Sequence, residues 1–354
     1  MSERIAPHTV LAGDIGGTKT LLSVSGPGVP NGAVERRYAS ADFPTFDGLL
    51  ADFLAEIASV VRSGGRQPGG VPTTLSAAAL ALAGPVHRQR CRITNLPWTF
   101  DAAALSTALG GRPVVLLNDF EAVGHAMPCL TESQTATIQS GEAEADAPIA
   151  LLGAGTGLGE AMVLPDGPLG SGRVRVIAGE GGHADLAAQS PLEDAYLTWL
   201  RARHGAHVSW ERVLSGAGLG AGYTFLAERT PERVDPTTAA AMTGEDPAAV
   251  VTARADVDPL CDAALDLFLG IYGAEAGNCA LRCMARGGVM LAGGIAPRLL
   301  DHLARPDGAF RRAFRAKGRF EPFLATVPIR VVLETRVGLL GAAAAATALA
   351  ETAR

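Results

Sequence analysis

No Cys-x-x-Cys pair occurs in this sequence of 354 residues, and its five cysteines, Cys91, Cys129, Cys261, Cys279 and Cys283, are scattered. That absence argues against a zinc knuckle or a dithiol redox centre. The thiols read instead as small buried residues of a reducing compartment, with Cys279 and Cys283 spaced to share a helix face. No Gly-Lys dipeptide occurs either, which removes the G-x-x-x-x-G-K-[ST] phosphate loop. Basic charge is not in excess: 30 Lys and Arg stand against 36 Asp and Glu, for a net charge of -6. Nucleic acid is therefore not an expected partner. The opening MSERIAPHTV lacks the apolar core of a secretory leader. The longest apolar stretch, GLLGAAAAATALA at 338–350, is shorter than the roughly 20 residues that span a bilayer. It reads as a packed terminal helix, and a cytoplasmic location without a membrane partner is the expectation.

What is present suits a large folded core. Apolar residues make up 48% and charged residues 19%, and the length points to about two domains. Residues 9–15 and 20–25 read as strands joined by a tight glycine turn, with a third strand at 33–38. Apolar spacing predicts a helix over 46–62, and Gly and Pro predict a loop over 63–74. Buried strands follow at 75–83 and 113–117, and a helix is expected from Phe120. The pattern then restarts: a strand at 148–152, the turn GAGTGLG, and a return strand at 161–164. The two glycine turns stand about 140 residues apart, which suggests two related domains facing each other across a cleft. Helical signals cover 192–204, 258–286 and 297–302, with strands at 288–291 and 329–333.

Three glycine turns could present main-chain N–H groups to phosphate: GDIGGTKT (13–20), GAGTG (153–157) and AGGIAPR (292–298). Taken singly, each reads as a hairpin turn; three of them, each closing a buried strand, point to phosphate. The second does not fit the dinucleotide fingerprint, because Leu158 stands where the last glycine belongs. Asp14 within the first turn would repel phosphate unless a cation intervened, and Mg²⁺ through water is the natural mediator; the alternative is a turn aspartate bonded to its own backbone. Asn118-Asp119 ends a buried strand, where Asp119 could take a proton from an attacking hydroxyl, or the pair could cap the next helix. In GEGGHAD (179–185), Glu180 and His183 suit a polyol by their hydrogen-bonding capacity, and a metal reading of Glu180, His183 and Asp185 stays open.

Together these segments resemble the non-ROK bacterial glucokinase family, within the actin, Hsp70 and hexokinase superfamily. The likeness runs through the chain in order: GDIGGTKT, TNLPWTF (94–100), LNDFEAVGHAMP (117–128), GAGTGLG, GEGGHADLA, ERVLSGAGL, GGVMLAGGIAPRLL and the final GLLGAAA. The resemblance implies an α/β fold of the two-domain actin-like ATPase (ribonuclease H-like) type with an interdomain cleft. Residues 1–129 plus 335–354 would form the small domain and 130–334 the large one. It implies phosphoryl transfer from MgATP to the 6-hydroxyl of D-glucose, with Asp119 as base. Asn118, Asp119, Glu180, His183 and Glu211 would bind the sugar. Gly13, Asp14, Ile15, Gly16, Gly17 and Thr18, with Gly153, Gly155, Thr156 and Gly157, would surround the phosphates of ATP. Gly293 and Gly294 would lie near the nucleoside. Asp14 would meet Mg²⁺ through water, no structural zinc is expected, and the partners implied are glucose, ATP and a second copy of the chain.

Lys19 departs from the family, which often has Asn there. The GGTK form is shared with the repressor–kinase (ROK) family, whose zinc-binding cysteine cluster this sequence lacks; Lys19 reads as solvated or as touching phosphate. The alternatives are a kinase of another hexose or an amino sugar, a sugar-responsive regulator, and an ATP-driven chaperone. With the first strand beginning at residue 9, no helix-turn-helix domain is expected ahead of it, and no peptide-binding domain is expected after the last motif.

Overall fold

The computed structural model describes residues 8–27, 29, 32–63, 75–93, 96–167 and 171–353. Most of the loop expected at 63–74, and Thr94 and Asn95 of the TNLPWTF segment, lie outside them. The first three strands, β1 (Val10–Ile15), β2 (Lys19–Ser25) and β3 (Ala33–Ala39), form an antiparallel meander. After α1 (Phe46–Ser63), β4 (Ala77–Leu82) pairs parallel to β1. A hairpin of β5 (Arg90–Arg92) and β6 (Thr99–Asp101) leads into α2 (Ala102–Ala108). Then β7 (Val114–Asn118) pairs parallel to β4, giving the order β3-β2-β1-β4-β7, and α3 (Asp119–Ala126) follows.

The second sheet takes β8 (Thr135–Gln139), β9 (Ile149–Ala154), β10 (Leu158–Pro165) and β11 (Val174–Gly179). A helical stretch follows: α4 (Pro191–His204), α5 (Gly216–Arg229), α6 (Pro236–Gly244), α7 (Pro247–Arg254) and α8 (Pro259–Cys283). Then come β12 (Gly288–Ala292), α9 (Leu300–Ala304), α10 (Ala309–Arg315), α11 (Glu321–Thr326) and β13 (Ile329–Val332). The order β11-β10-β9-β12-β13-β8 repeats the first sheet, strand for strand, and adds β8 at one edge. The glycine turns at 16–18 and 155–157 thus occupy equivalent hairpins. The final helix, α12 (Val337–Thr352), returns to the first sheet. Close packing groups Met1–Leu130, Gly172–Val176 and Thr335–Arg354 in one compact unit, and Thr131–Ser171 with Ile177–Glu334 in a second. No helix among the described residues is long and apolar enough to cross a membrane.

Two-residue alternation in β1 and β4 sorts side chains onto two different faces. Leu11, Ile15, Leu80 and Leu82 meet the bulky cluster of α1 and the rings of Phe46, Trp98 and Phe100. Val10, Ala12, Ala77, Ala79 and Ala81 meet the alanines of α12. A face of alanines lets a helix approach closely, and α12 uses the room. A Cβ on Gly341 would collide with the carbonyl oxygen of Ala122 in α3, and one on Gly338 would stand 3.0 Å from Oδ2 of Asp14.

The second unit carries several elements that sequence reading passed over, α5 among them. In α5, GAGLGAGY looks like a loop, yet Ser215 caps the helix by accepting from Gly218 N at 3.2 Å. Two of its four glycines serve close approach: a Cβ on Gly218 would meet Val213 O, and one on Gly220 would meet Pro247 Cβ at 2.7 Å. Leu219, Tyr223 and Phe225 of α5 are buried in the core that surrounds α8. The cysteines divide: Cys91, Cys261 and Cys279 are buried, Cys129 is exposed, and Cys283 is intermediate.

Gly341→Ala tests the α12 contact. Helix propensity favours Ala by about 1 kcal/mol, but overpacking against a main-chain carbonyl costs about 1–3 kcal/mol or more. Urea unfolding is expected to show a net loss, whereas Gly244→Ala, with open space around it, stays within about 1 kcal/mol of the parent.

Candidate functional site

In the first unit the turn between β1 and β2 is clamped from one side. Gly16 N donates to Lys19 O at 2.9 Å, closing the loop. Ser40, fully buried, donates its hydroxyl to Gly16 O at 2.9 Å, shares a 3.0 Å hydrogen bond with Thr20 Oγ1, and gives its own N–H to Thr18 O at 3.1 Å. The amides of Gly17 and Thr18 donate to no acceptor among the described residues. Main-chain N–H groups held rigidly and left free are what an anion requires. Gly13 stands earlier, inside β1, where a Cβ would crowd Leu80, Ile15 and Leu22 at 2.7–2.9 Å; packing accounts for that glycine, and Ile15 is core. Lys19 is exposed. The Asp14 carboxyl is pushed above its usual range by burial, is drawn back by the charge of Lys19, and is raised further by that of Asp119.

Asn118 and Asp119 sit where β7 becomes α3. Asn118 is the helix cap: its Oδ1 accepts from Phe120 N at 2.9 Å, and its N–H donates to Glu121 Oε2 at 3.3 Å in a capping box. Its Nδ2 also donates to Gly84 O at 3.3 Å. Asp119 is the first residue of α3 and is exposed, with Oδ1 accepting from Phe120 N at 2.8 Å. A carboxylate there benefits from the helix dipole.

In the second unit the two remaining glycine turns lie side by side. Gly155 N donates to Gly157 O at 2.8 Å, and a Cβ on Gly155 would come within 4.0 Å of Gly294 N. Gly293, at φ +82°, could not carry a side chain without striking Ala154 O, while Gly294 faces open space. Ile295 N donates to the same Ala154 carbonyl at 3.2 Å. Gly153 is paired within β9, and Thr156 is exposed at the tip.

Glu211 ties this turn to the polar cluster. Its Oε2 accepts from Leu158 N at 3.0 Å and presses against Gly157, while its Oε1 lies 4.0 Å from His183 Nδ1. His183 Nε2 is 3.8 Å from Glu180 Oε2. A histidine thus stands between two carboxylates from separate segments. Asp185 turns elsewhere, pairing with His207 Nδ1 at 2.8 Å, so the Glu180–His183–Asp185 metal alternative loses its third ligand. The Glu180 segment lies directly on β10: Cβ atoms on Gly181 and Gly182 would strike the carboxylate of Glu160 and the carbonyl of Leu158. A bridge between Asp185 and Ser209, with Trp210 N donating to Ala184 O at 3.1 Å, brings Glu211 alongside.

A family model described as Glucokinase matches residues 11–349. A glucokinase of Synechocystis sp. is 40% identical, the alignment covering 95% of this chain and 97% of that one. The chain belongs to the glucokinase family. A crystal structure of a glucokinase from an Antarctic psychrotroph superposes with a TM-score of 0.79 at 29% identity, over 96% of this chain and 98% of that one. A ROK-family glucokinase from Streptomyces griseus, solved with glucose and AMPPNP, shares the fold at a TM-score of 0.56 and 22% identity, over 96% and 99% of the two chains. The fold of this glucokinase-family chain is the two-domain actin-like ATPase type.

Sequence reasoning missed Ser40 and Glu160. Neither has a local signature, because each acts on a glycine turn brought to it by sheet pairing.

The Asp14 carboxyl yields a sign to test. Its pKa is raised in the fold, so the ionised form costs stability; that cost shrinks as pH falls below the raised value and is gone below the ordinary value of 3.8. Asp14→Asn is expected to unfold at higher urea than the parent at neutral pH, the gap narrowing under acid; parallel pH profiles would contradict it.

Proposed function

We propose that the chain transfers the γ-phosphoryl group of MgATP to the 6-hydroxyl of D-glucose, giving glucose 6-phosphate and ADP. One observation carries the reading: Glu180, His183 and Glu211 converge on a glycine turn in a chain whose family relatives are glucokinases. Two carboxylates flanking an imidazole offer the acceptors and the donor that a ring of hydroxyls demands. In this reading those three groups hold the sugar and Asp119 takes the proton of the 6-hydroxyl as it attacks in line. Asn118 contributes mainly by setting Asp119, since both ends of its amide already bond within the fold.

The free amides of Gly17 and Thr18 face the phosphates, the turns carrying Gly16 and Gly153, Gly155, Thr156 and Gly157 surround them, and Gly293 and Gly294 flank the nucleoside. Asp14 fits a cation at this point, because burial and the nearby charge of Asp119 both disfavour its bare carboxylate. It would hold Mg²⁺ through water, and the ion would neutralise charge on the phosphate oxygens. A cytoplasmic homodimer belongs to the same proposal. Discrimination among sugars would come from unmatched hydroxyls, worth about 1–3 kcal/mol for each polar group left covered and unpaired.

ADP release measured with MgATP across a panel of hexoses and amino sugars tests the substrate, with glucose expected to give the highest kcat/KM. Asp119→Asn is expected to retain glucose affinity and lose about 10²–10⁴ in kcat; near-normal turnover would remove Asp119 from the role. Glu180→Ala is expected to weaken glucose binding by about tenfold or more, equivalent to about 1.4 kcal/mol, and an unchanged dissociation constant would contradict the sugar site.

A further inference from the structure

Beneath the Glu180 segment lies a second cluster that the phosphoryl-transfer reading does not use. Glu275 and Cys279 are four residues apart on α8 and so share one helix face, and Glu160 reaches them from β10. One ligand atom from each, two carboxylate oxygens and a sulfur, can be chosen so that all three lie within 4.8 Å of one another. Cys279 Sγ is 3.4 Å from Glu160 Oε2 and 3.6 Å from Glu275 Oε1. Tetrahedral zinc with sulfur at about 2.3 Å and oxygen at about 2.0–2.2 Å places such ligands about 3.5–3.6 Å apart.

The three atoms already converge on a positive group. Arg282 Nη1 stands 2.7 Å from Glu275 Oε1, 3.4 Å from Glu160 Oε2 and 3.5 Å from Cys279 Sγ. The guanidinium belongs to a side chain that is 43% exposed, whereas the Glu160 and Glu275 side chains are 8% and 0% exposed. Arg282 can therefore swing to solvent while the anions cannot. Glu160 Oε1, nine-tenths buried, has no hydrogen-bond partner among the described residues. A cavity of about 210 Å³ opens beside it, lined by Met162, Ile177, Gly181 and Arg282 as well as Glu160 and Cys279. Burial and the charge of Glu275 push Glu160 up to about 7, and burial with the same acids raises the Cys279 thiol. The pair of acids is under electrostatic load that a cation relieves. Lys317 is the other basic group whose charge acts on this cluster.

We propose that Glu160, Glu275 and Cys279 form a binding site for a divalent cation of borderline softness, zinc first, for which the Arg282 guanidinium is the built-in competitor. Two oxygens and a thiolate select zinc over Mg²⁺, which avoids sulfur. On binding, the metal–sulfur and metal–oxygen bonds form, the thiol proton and any proton on Glu160 leave to buffer, and Arg282 moves out. Water fills the fourth position from the cavity side. A strand acid combined with a helical Glu-x-x-x-Cys has none of the cysteine spacing that marks a zinc knuckle, which is why composition alone argued against zinc. The proposal is independent of the kinase reading.

The test titrates the whole chain, stripped with chelator, with zinc chloride alone against a chromophoric zinc indicator, and repeats the titration with cobalt(II) to look for thiolate charge-transfer absorption. One equivalent per chain is expected, with the cobalt band present. Cys279→Ser is expected to lose the band and at least tenfold in affinity, and Cys129→Ser, at the exposed thiol, to change neither. Arg282→Met is expected to bind at least tenfold more tightly, a gain that a misfolded variant would not show. Absence of binding in both the parent and Arg282→Met, or binding unaffected by Cys279→Ser, overturns the site.

Discussion

The close approach of α12 to the first sheet is the constraint on which much of the arrangement depends. Its alanines bury little area each, so the layer gains less from transfer out of water than one of leucines would. Its value lies in proximity. Gly338 stands against Asp14, and Gly341 against the main chain of α3, whose first residue is Asp119. One helix therefore backs both Asp14 and the start of the helix that carries Asp119. Side chains at Gly338 or Gly341 would push it away from Asp14 and α3. Helix propensity, highest for alanine, allows such a thin element to remain helical.

Much of this architecture was legible from short patterns. Glycines between two apolar runs marked both hairpins, because few other residues permit so tight a turn, and an unbroken apolar run marked β4 as buried. The boundaries slipped where capping decides them: α3 begins at Asp119, one residue before the expected start, because Asn118 supplies the cap. The helix α5 was invisible because its glycines imitate a loop, and only the neighbours that crowd them reveal the reason for their presence. At the site, motifs named Glu180, His183 and Glu211 but did not show how they meet. Their meeting depends on the bridge between Asp185 and Ser209 and on Glu211 accepting from Leu158 N. Those links join segments distant in sequence, which no local spacing encodes.

Glu211 also shows how a single carboxylate can join two tasks. One oxygen shapes a glycine turn and the other faces the imidazole. Any group that draws Glu211 toward His183 therefore pulls on the turn that carries Gly157. The Glu180 segment is supported in a comparable way by β10, whose Leu158 and Glu160 lie immediately under two successive glycines. Polar side chains at the surface are thus held by main chain that has almost no freedom to move downward.

The return of α12 to the first sheet has a consequence for biogenesis. Its residues are translated after the entire second sheet, about 210 positions after α3 ends. At the usual pace of synthesis that is a delay of about 10–40 s. During that interval the nascent first sheet has one face of Ala77, Ala79 and Ala81 without its helix. Vectorial folding on the ribosome would then finish the second unit before the first, reversing the order in which the two emerge.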